Sequence, residues 1–403
     1  MSQKPTRPSF LSFDTDMFGA HTSSMPPKVY VTADNEFDAI IIQHLREEGF
    51  NAIFLPYDDG GKAYKDNLRH LADDLELGEN YAIVAFDEAA AVCLEQHIKP
   101  QPHLVALVAY YPSTIPSPNT RYPPHLSVLC HLAATQSFAP AFPSYTYPNV
   151  QSGFAENDLD EYDKVSANIS WTRTLHALRK AFKIDVDLEK IWEEHVALEF
   201  ATKDAAATMR TMVEEPYVNH IPTLTGGIGQ KDLFLFYRDY FIPQNPPSLT
   251  MKLISRTIGT DRVVDEMVIS FKHTQTIPWM LPDVPATDKM VHVALVGVVC
   301  IRGGKLYHEH LYWDQASVLV QVGLLDPKLV PDSFAKQGLK RLPVYGKETA
   351  EKVVDEESRP SNELIAAWKN RPKGDPGASL PTRPKQAAAS SGSKTNGSHA
   401  NGS

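Results

Sequence analysis

Between residues 28 and 133 the chain carries five short apolar runs: KVYVTAD, NAIFLPYDD, ENYAIVAF, HLVALVAYY and HLSVLCHLA. Helix-period stretches separate the first four. NEFDAIIIQHLREEGF sets Ile40, Ile41, His44 and Leu45 on one helical face and offers Gly49 as its stop. AYKDNLRHLADDLEL and DEAAAVCLEQH follow the second and third runs. Strands that alternate with helices need crossover connections, and this constrains the segment to a parallel sheet in an α/β layer.

The order then changes. DLEKIWEEHVALEFATKD, AAATMRTMV and GQKDLFLFYRDYF read as helices, and four strands follow over 249–258, 262–273, 291–302 and 305–313. Helices first and long antiparallel strands afterwards is an α+β order. Gly303–Gly304 between the last two strands is a hairpin signal. A chain of 403 residues exceeds one ordinary core. The reading is an irregular arm over 1–27, an α/β domain over 28–183, an α+β domain over 185–345, and a mostly disordered Pro/Ser/Gly/Asn tail over 346–403.

Composition narrows the function. The formal net charge is -10 and no dense Lys/Arg run occurs, which argues against nucleic acid or an anionic membrane as partner. No run approaches the roughly 18 apolar residues that span a bilayer. The three cysteines (Cys93, Cys130, Cys300) lie far apart without CxxC spacing. They provide neither a disulfide framework nor a thiolate zinc cluster, and suit a reducing compartment. The N-terminal residues lack the apolar h-region of a signal peptide, so a cytoplasmic location is expected.

Segment 28–183 resembles the dienelactone hydrolase branch of the α/β-hydrolases. The likeness lies in REEGFNAIFLPYDDG, in the strand–turn–helix at 79–97, and in VQSGFAENDLDEYDKVSANISWTRTLHALRKAF. It implies an incomplete hydrolase-like parallel sheet with three catalytic positions. The nucleophile's place is Asp87, with Ala85 and Ala89 where a strained elbow uses glycine. The acid's place falls at Ala133–Gln136, and the histidine's is Ser152, before Gly153 and Phe154. Asp87, Gln136 and Ser152 thus form a degenerate triad, with no base to activate a nucleophile. Asp87 and Glu88 are expected to cap the following helix.

Residues 185–345 resemble a nuclear transport factor 2-like domain of the SnoaL-like polyketide cyclase branch, on YVNHIPTLTGG, DLFLFYRDYF, DRVVDEMVISFKHT and GGKLYHEHLYWDQASVLVQVGLLD. This implies a cone with a curved antiparallel sheet and an apolar pocket. By the same resemblance Asp314 is the catalytic acid/base and His220 faces the pocket. Strand periodicity sets His308, His310, Tyr312 and Asp314 on one face and Tyr307, Glu309, Leu311 and Trp313 on the other. If Asp314 points inward, His310 does too, and Glu309 points out. Asp265 and His273 share the more apolar face of their strand and are candidate pocket residues, with Trp279 as a lid or packing residue.

His308-x-His310 has chelating spacing, but Asp314 lies about 13 Å from His310 along an extended strand, so no metal site is assigned. TGGIG over 225–229 reads as a turn rather than a phosphate loop.

The expected function is small-molecule binding, with proton-transfer chemistry of the isomerase, cyclase or dehydratase type on an apolar carbonyl substrate. No cofactor is implied. The alternatives are a non-catalytic or homodimeric scaffold built on the second domain, and ester or lactone hydrolysis by the first. Asp314, His220 and His310 carry the expected chemistry.

Overall fold

The computed structural model describes residues 25–369. Most of the expected N-terminal arm and the expected tail beyond residue 369 lie outside them. The described residues up to Glu356 form one compact unit built on two six-stranded sheets, and a short second unit begins at Glu357.

The first sheet is parallel throughout, in the order β2-β1-β3-β4-β5-β6. Its strands are β1 (Lys28–Ala33), β2 (Asn51–Pro56), β3 (Tyr81–Phe86), β4 (Leu104–Tyr110), β5 (Ser127–Ala133) and β6 (Ser144–Tyr147). Every residue of β3 is buried, as a central strand covered on both faces must be. Helices α1 (Ala39–Glu47), α2 (Lys62–Arg69) and α3 (Asp87–Gln96) connect the first strands, and α4 (Lys164–Phe182) follows the last. Side chains of α1 and α4 share one core with Val29 and Val31, and those of α2 and α3 share the other with Tyr30. Asp163 starts α4 by accepting the Ser166 amide at 2.7 Å, and Lys183 ends it in a left-handed turn.

The expected cap on α3 is corrected. Phe86 is the N-cap residue, with no side-chain cap hydrogen bond, while Asp87 and Glu88 occupy the first helical turn. Asp87 takes φ 45°. The chain therefore turns left-handed at this strand-to-helix corner without glycine neighbours, at a cost of about 1–2 kcal/mol.

The second sheet is mixed, in the order β8-β7-β12-β11-β10-β9, with β7 and β12 parallel and the other pairs antiparallel. Its strands are β7 (Met212–His220), β8 (Thr225–Ile228), β9 (Thr250–Ile258), β10 (Arg262–Lys272), β11 (Met290–Arg302) and β12 (Lys305–Trp313). The helices are α5 (Leu188–Ala197), a π-helical stretch over Leu198–Thr202, α6 (Ala205–Arg210), α7 (Gly229–Leu235), a second π-helical stretch over Phe236–Phe241, and α8 (Gln315–Val322). The TGGIG segment forms β8 and the start of α7. Gly226 is required there, because at φ 128° a Cβ would lie 2.0 Å from the Val218 carbonyl oxygen.

After the short α9 (Asp332–Ala335) comes α10 (Glu348–Val354), inside the stretch expected to be tail. It packs beside β10 and β11 and buries Ala350. The single short apolar face of ETAEKVV carries too weak a periodicity to mark it as a helix. The second unit contains α11 (Ala366–Lys369).

The two sheets meet through polar contacts. Glu48, paired with Arg179 of α4 at 2.7 Å, accepts the Gly303 amide at 3.1 Å, and Arg179 donates to the Thr260 carbonyl. Gly303 has no room for a side chain, since a Cβ would lie 2.8 Å from the Glu47 carbonyl oxygen. Nearby, the Thr172 hydroxyl donates to Asp261 at 2.6 Å and accepts from Arg262 at 2.8 Å.

Removing one member of a buried ion pair strands the other's charge. Arg179→Met is expected to lower unfolding stability by about 3 kcal/mol, and Glu48→Met/Arg179→Met to recover most of that loss. Urea unfolding followed by fluorescence measures both; a loss below about 1 kcal/mol in the single variant would show that the pair is worth no more than an exposed one.

Candidate active site

The second sheet and the helices before it enclose a cavity of about 400 Å³. Its walls are largely apolar, from Trp192, Phe200, Phe241, Trp279, Leu295 and Leu311 among others, and its polar members are Glu193, Glu199, Arg256, Asp265 and Glu309. Four elements supply the polar groups: α5 with its continuation, β9 (Arg256), β10 and β12.

On α5 and its continuation, Leu188, Trp192, His195 and Glu199 recur at helical spacing and are all buried. The π-helical turn from Leu198 carries Glu199 against the end of the cavity, and Lys203 closes it at φ 57°. On β10, Asp265, Met267 and Ile269 face the cavity, as alternation requires. On β12, Glu309 and Leu311 face the cavity and Trp313 is buried, while His310 and Tyr312 occupy the opposite face and are more exposed.

At the inner end, ligand atoms of His195, Glu199 and Glu309 all lie within 4.8 Å of one another. Burial, and then the Glu199 charge, raise the Glu309 pKa well above the ordinary glutamate value, and no hydrogen bond offsets this. The Tyr237 phenol stands beside Glu199, and burial followed by the Glu199 and Glu309 charges lifts its pKa as well.

His195 is oriented by a hydrogen-bond chain. The Thr211 hydroxyl donates to the Thr208 carbonyl at 2.7 Å, so its oxygen must accept from His195 Nδ1 at 2.6 Å. His195 Nε2 then faces Glu199 Oε1 at 3.0 Å. A ring nitrogen lone pair and a carboxylate oxygen repel, so one proton lies on that line.

At the outer end Asp265 accepts from Trp192 Nε1 at 2.8 Å and from Arg256 Nε and Nη2 at 2.8 and 2.9 Å. Arg256 Nη1 also reaches Glu189 at 2.8 Å and Glu193 at 2.9 Å.

The residues singled out by sequence fall in different places. Asp265 and Trp279 line the cavity. Trp279 and Met280 are buried, with the Trp279 indole donating to Asn245 at 2.9 Å, so this segment packs into the core. His220 sits behind the cavity wall among Phe236, Phe241, Trp279 and Trp313. Its Nδ1 bonds the Thr225 hydroxyl at 3.0 Å, and burial lowers its pKa to about 3, so it is a neutral packing residue.

His273 is buried against Thr287, away from the cavity lining. Asp314 is exposed and outside the cavity. It has left the strand to cap α8, accepting the Ala316 amide at 3.0 Å. Because Asp314 does not set the inward face of β12, the inference that His310 points inward and Glu309 outward is reversed. His308 and His310 stack on each other beside Tyr217, on the face away from the cavity.

In the first half, Gln136 bonds Ala133 and Pro112 backbone groups, Ser152 lies in a turn, and Asp87 stands at the β3–α3 corner. No hydrogen bond among the described residues joins these three.

The sequence reading passed over His195 and Glu199 and turned Glu309 outward. Their signal was present: HVALE puts a histidine and an acid four apart on the apolar stripe of Leu188 and Trp192. The three side chains also present the donor types that could hold a metal ion.

No family model matches the sequence, and no curated protein matches it. Over about a third of its length the chain is similar to solved structures with SnoaL-like or NTF2-like folds. One is a candidate SnoaL-like polyketide cyclase from Jannaschia sp. CCS1, 18% identical, covering 34% of this chain and 94% of that one, with a TM-score of 0.28. TsrD from Streptomyces laurentii is 17% identical over 35% of this chain and 100% of its own, with a TM-score of 0.29. A protein with a ketosteroid isomerase-like fold from Catenulispora acidiphila DSM 44928, in complex with trimethylamine, is 15% identical over 35% and 97%, with a TM-score of 0.27. Among the described residues no helix is long and apolar enough to cross a membrane.

Two outcomes are expected from this geometry. The folded-state pKa of Glu309 lies above its unfolded value, so folding binds a proton there. The stability linked to it is full below the ordinary glutamate value, about 4.3, and is lost as pH rises through the raised folded value. Glu309→Gln, measured by urea unfolding across that range, should therefore gain stability relative to the parent as pH rises; parallel curves would show that Glu309 is ionised in the folded protein. Thr211→Val removes the acceptor for Nδ1–H while keeping the side-chain shape. Nitrogen-15 shifts of the His195 ring should move toward a mixture of tautomers, and unchanged shifts would dismiss the Thr211 constraint.

Proposed function

We propose that the second half of the chain binds a small, largely apolar carbonyl compound in the 400 Å³ cavity and moves a proton on it, the chemistry of an isomerase, cyclase or dehydratase. The observation that carries this reading is the Glu309 carboxyl, buried in an apolar wall beside Glu199 with its pKa raised. A protonated carboxylic acid donates to a carbonyl oxygen, and a carboxylate beside it takes a proton from the adjacent carbon.

In the keto-to-enol direction, Glu199 takes the carbon-bound proton and the C–H pair becomes the C=C bond. The C=O pair moves onto oxygen, which takes the Glu309 proton. His195, hydrogen-bonded to Glu199, holds that carboxylate in place, and Glu199 keeps the proton until it is returned to carbon. This assigns to Glu309 and Glu199 the acid–base role that the sequence gave to Asp314. No hydrogen bond among the described residues joins Asp87 to a histidine or another acid, so hydrolysis there is not proposed.

The test is α-proton exchange of 1-tetralone in D2O, followed by NMR. Glu309→Gln is expected to lower the exchange rate by about 10²-fold or more, the lower bound for a general acid or base. Asp314→Asn should leave the rate unchanged. Equal rates for Glu309→Gln and the parent, or no exchange by the parent above buffer, would overturn the reading.

A further inference from the structure

We infer that the cavity rim is a charge filter that admits uncharged carbonyl compounds (ketone, aldehyde, ester or lactone) and turns away their carboxylates. The inference rests on the cavity being the ligand site, and it names the substrate's charge. Arg256 is the only cationic side chain among the described residues of the lining. A guanidinium placed there would ordinarily anchor a carboxylate through two parallel hydrogen bonds.

Here that face is already taken. Nε and Nη2 both bond Asp265, and Nη1 bonds Glu189 and Glu193. One positive charge thus meets three negative ones. Asp265 is buried, whereas the Glu189 and Glu193 side chains are 49% and 63% exposed, so their charge faces what approaches.

The inner end adds Glu199 and Glu309 and, among the described lining residues, no lysine or second arginine. An anionic ligand would meet acidic groups at both ends and lose its hydration between aromatic walls, at Trp192, Phe200, Phe241 and Trp279. A neutral carbonyl meets none of these costs, and its oxygen finds the protonated Glu309.

Matched probes test this: methyl 2-naphthoate and the 2-naphthoate anion, titrated by calorimetry into the full-length protein at neutral pH and low salt. The ester should bind about tenfold tighter than the anion, and the preference should shrink as salt screens the exposed carboxylates. Glu189→Gln/Glu193→Gln removes two exposed negative charges beside Arg256 and should move the ester-to-anion ratio about tenfold toward the anion. Equal affinities in the parent, binding of neither probe, or an unmoved ratio in the double variant would overturn the inference. Glu309→Gln should keep the ester preference while losing exchange, so failure of the filter and failure of the acid–base reading give different results.

Discussion

Asp265 accepts hydrogen bonds from one side chain on a helix and one on a neighbouring strand, and the cavity's shape follows from that arrangement. Arg256 ties β9 to β10 through two parallel bonds, while the Trp192 indole ties α5 to the same carboxylate. Glu189 and Glu193, one turn apart on α5, hold the other edge of the guanidinium. This fixes the helix along its length over the sheet. His195 and Glu199 follow on the same buried stripe and come to lie beside Glu309, which β12 presents from the opposite wall. A buried ion pair costs desolvation unless its hydrogen bonds are filled; here both Asp265 oxygens and three Arg256 nitrogens are engaged.

Strand positions in the second half were legible because long β-branched runs end at clear turn signals. All four strands from β9 to β12 lie within a residue or two of the spans that alternation suggests. The division of β12 into two faces was also legible, but which face points inward was not. That choice was fixed by Asp314, and Asp314 lies one residue past the strand, where φ and ψ follow the needs of a helix cap. A one-residue difference in where a strand ends exchanges its faces. On α5 the periodicity was plain, yet a histidine and a glutamate on an apolar stripe look unremarkable until β12 brings a second carboxyl to meet them. That pairing joins residues 110 or more positions apart, and no local pattern encodes it.

In the first half the acids around Asp87 are kept apart from the buried imidazole of His131. Asp87 holds a left-handed φ at the end of β3, between the buried Ala85 and Ala89 two residues to either side. The carboxyls around it are pushed toward their neutral forms: burial raises Asp87, and burial raises Glu156, bonded to Tyr111, to about 7. His131, buried and bonded to Tyr147 and Thr174, is lowered to about 3 by burial and by Arg173. Acids biased toward protonation, with the buried imidazole committed to two hydroxyls elsewhere, form a packed polar end rather than a nucleophile and its base.

The contrast between the two halves turns on what each buried carboxyl touches. Glu48 is buried too, but Arg179 and the Gly303 amide supply its counter-charge and hydrogen bond, and its role is to join the sheets. Asp265 is likewise saturated. Glu309 has no arginine and no hydrogen bond to offset its burial: beside apolar side chains it meets His195 and a second acid, Glu199, and its pKa is raised. A protonated carboxyl facing an open apolar volume is a donor without a partner. A neutral carbonyl oxygen is the group that completes it.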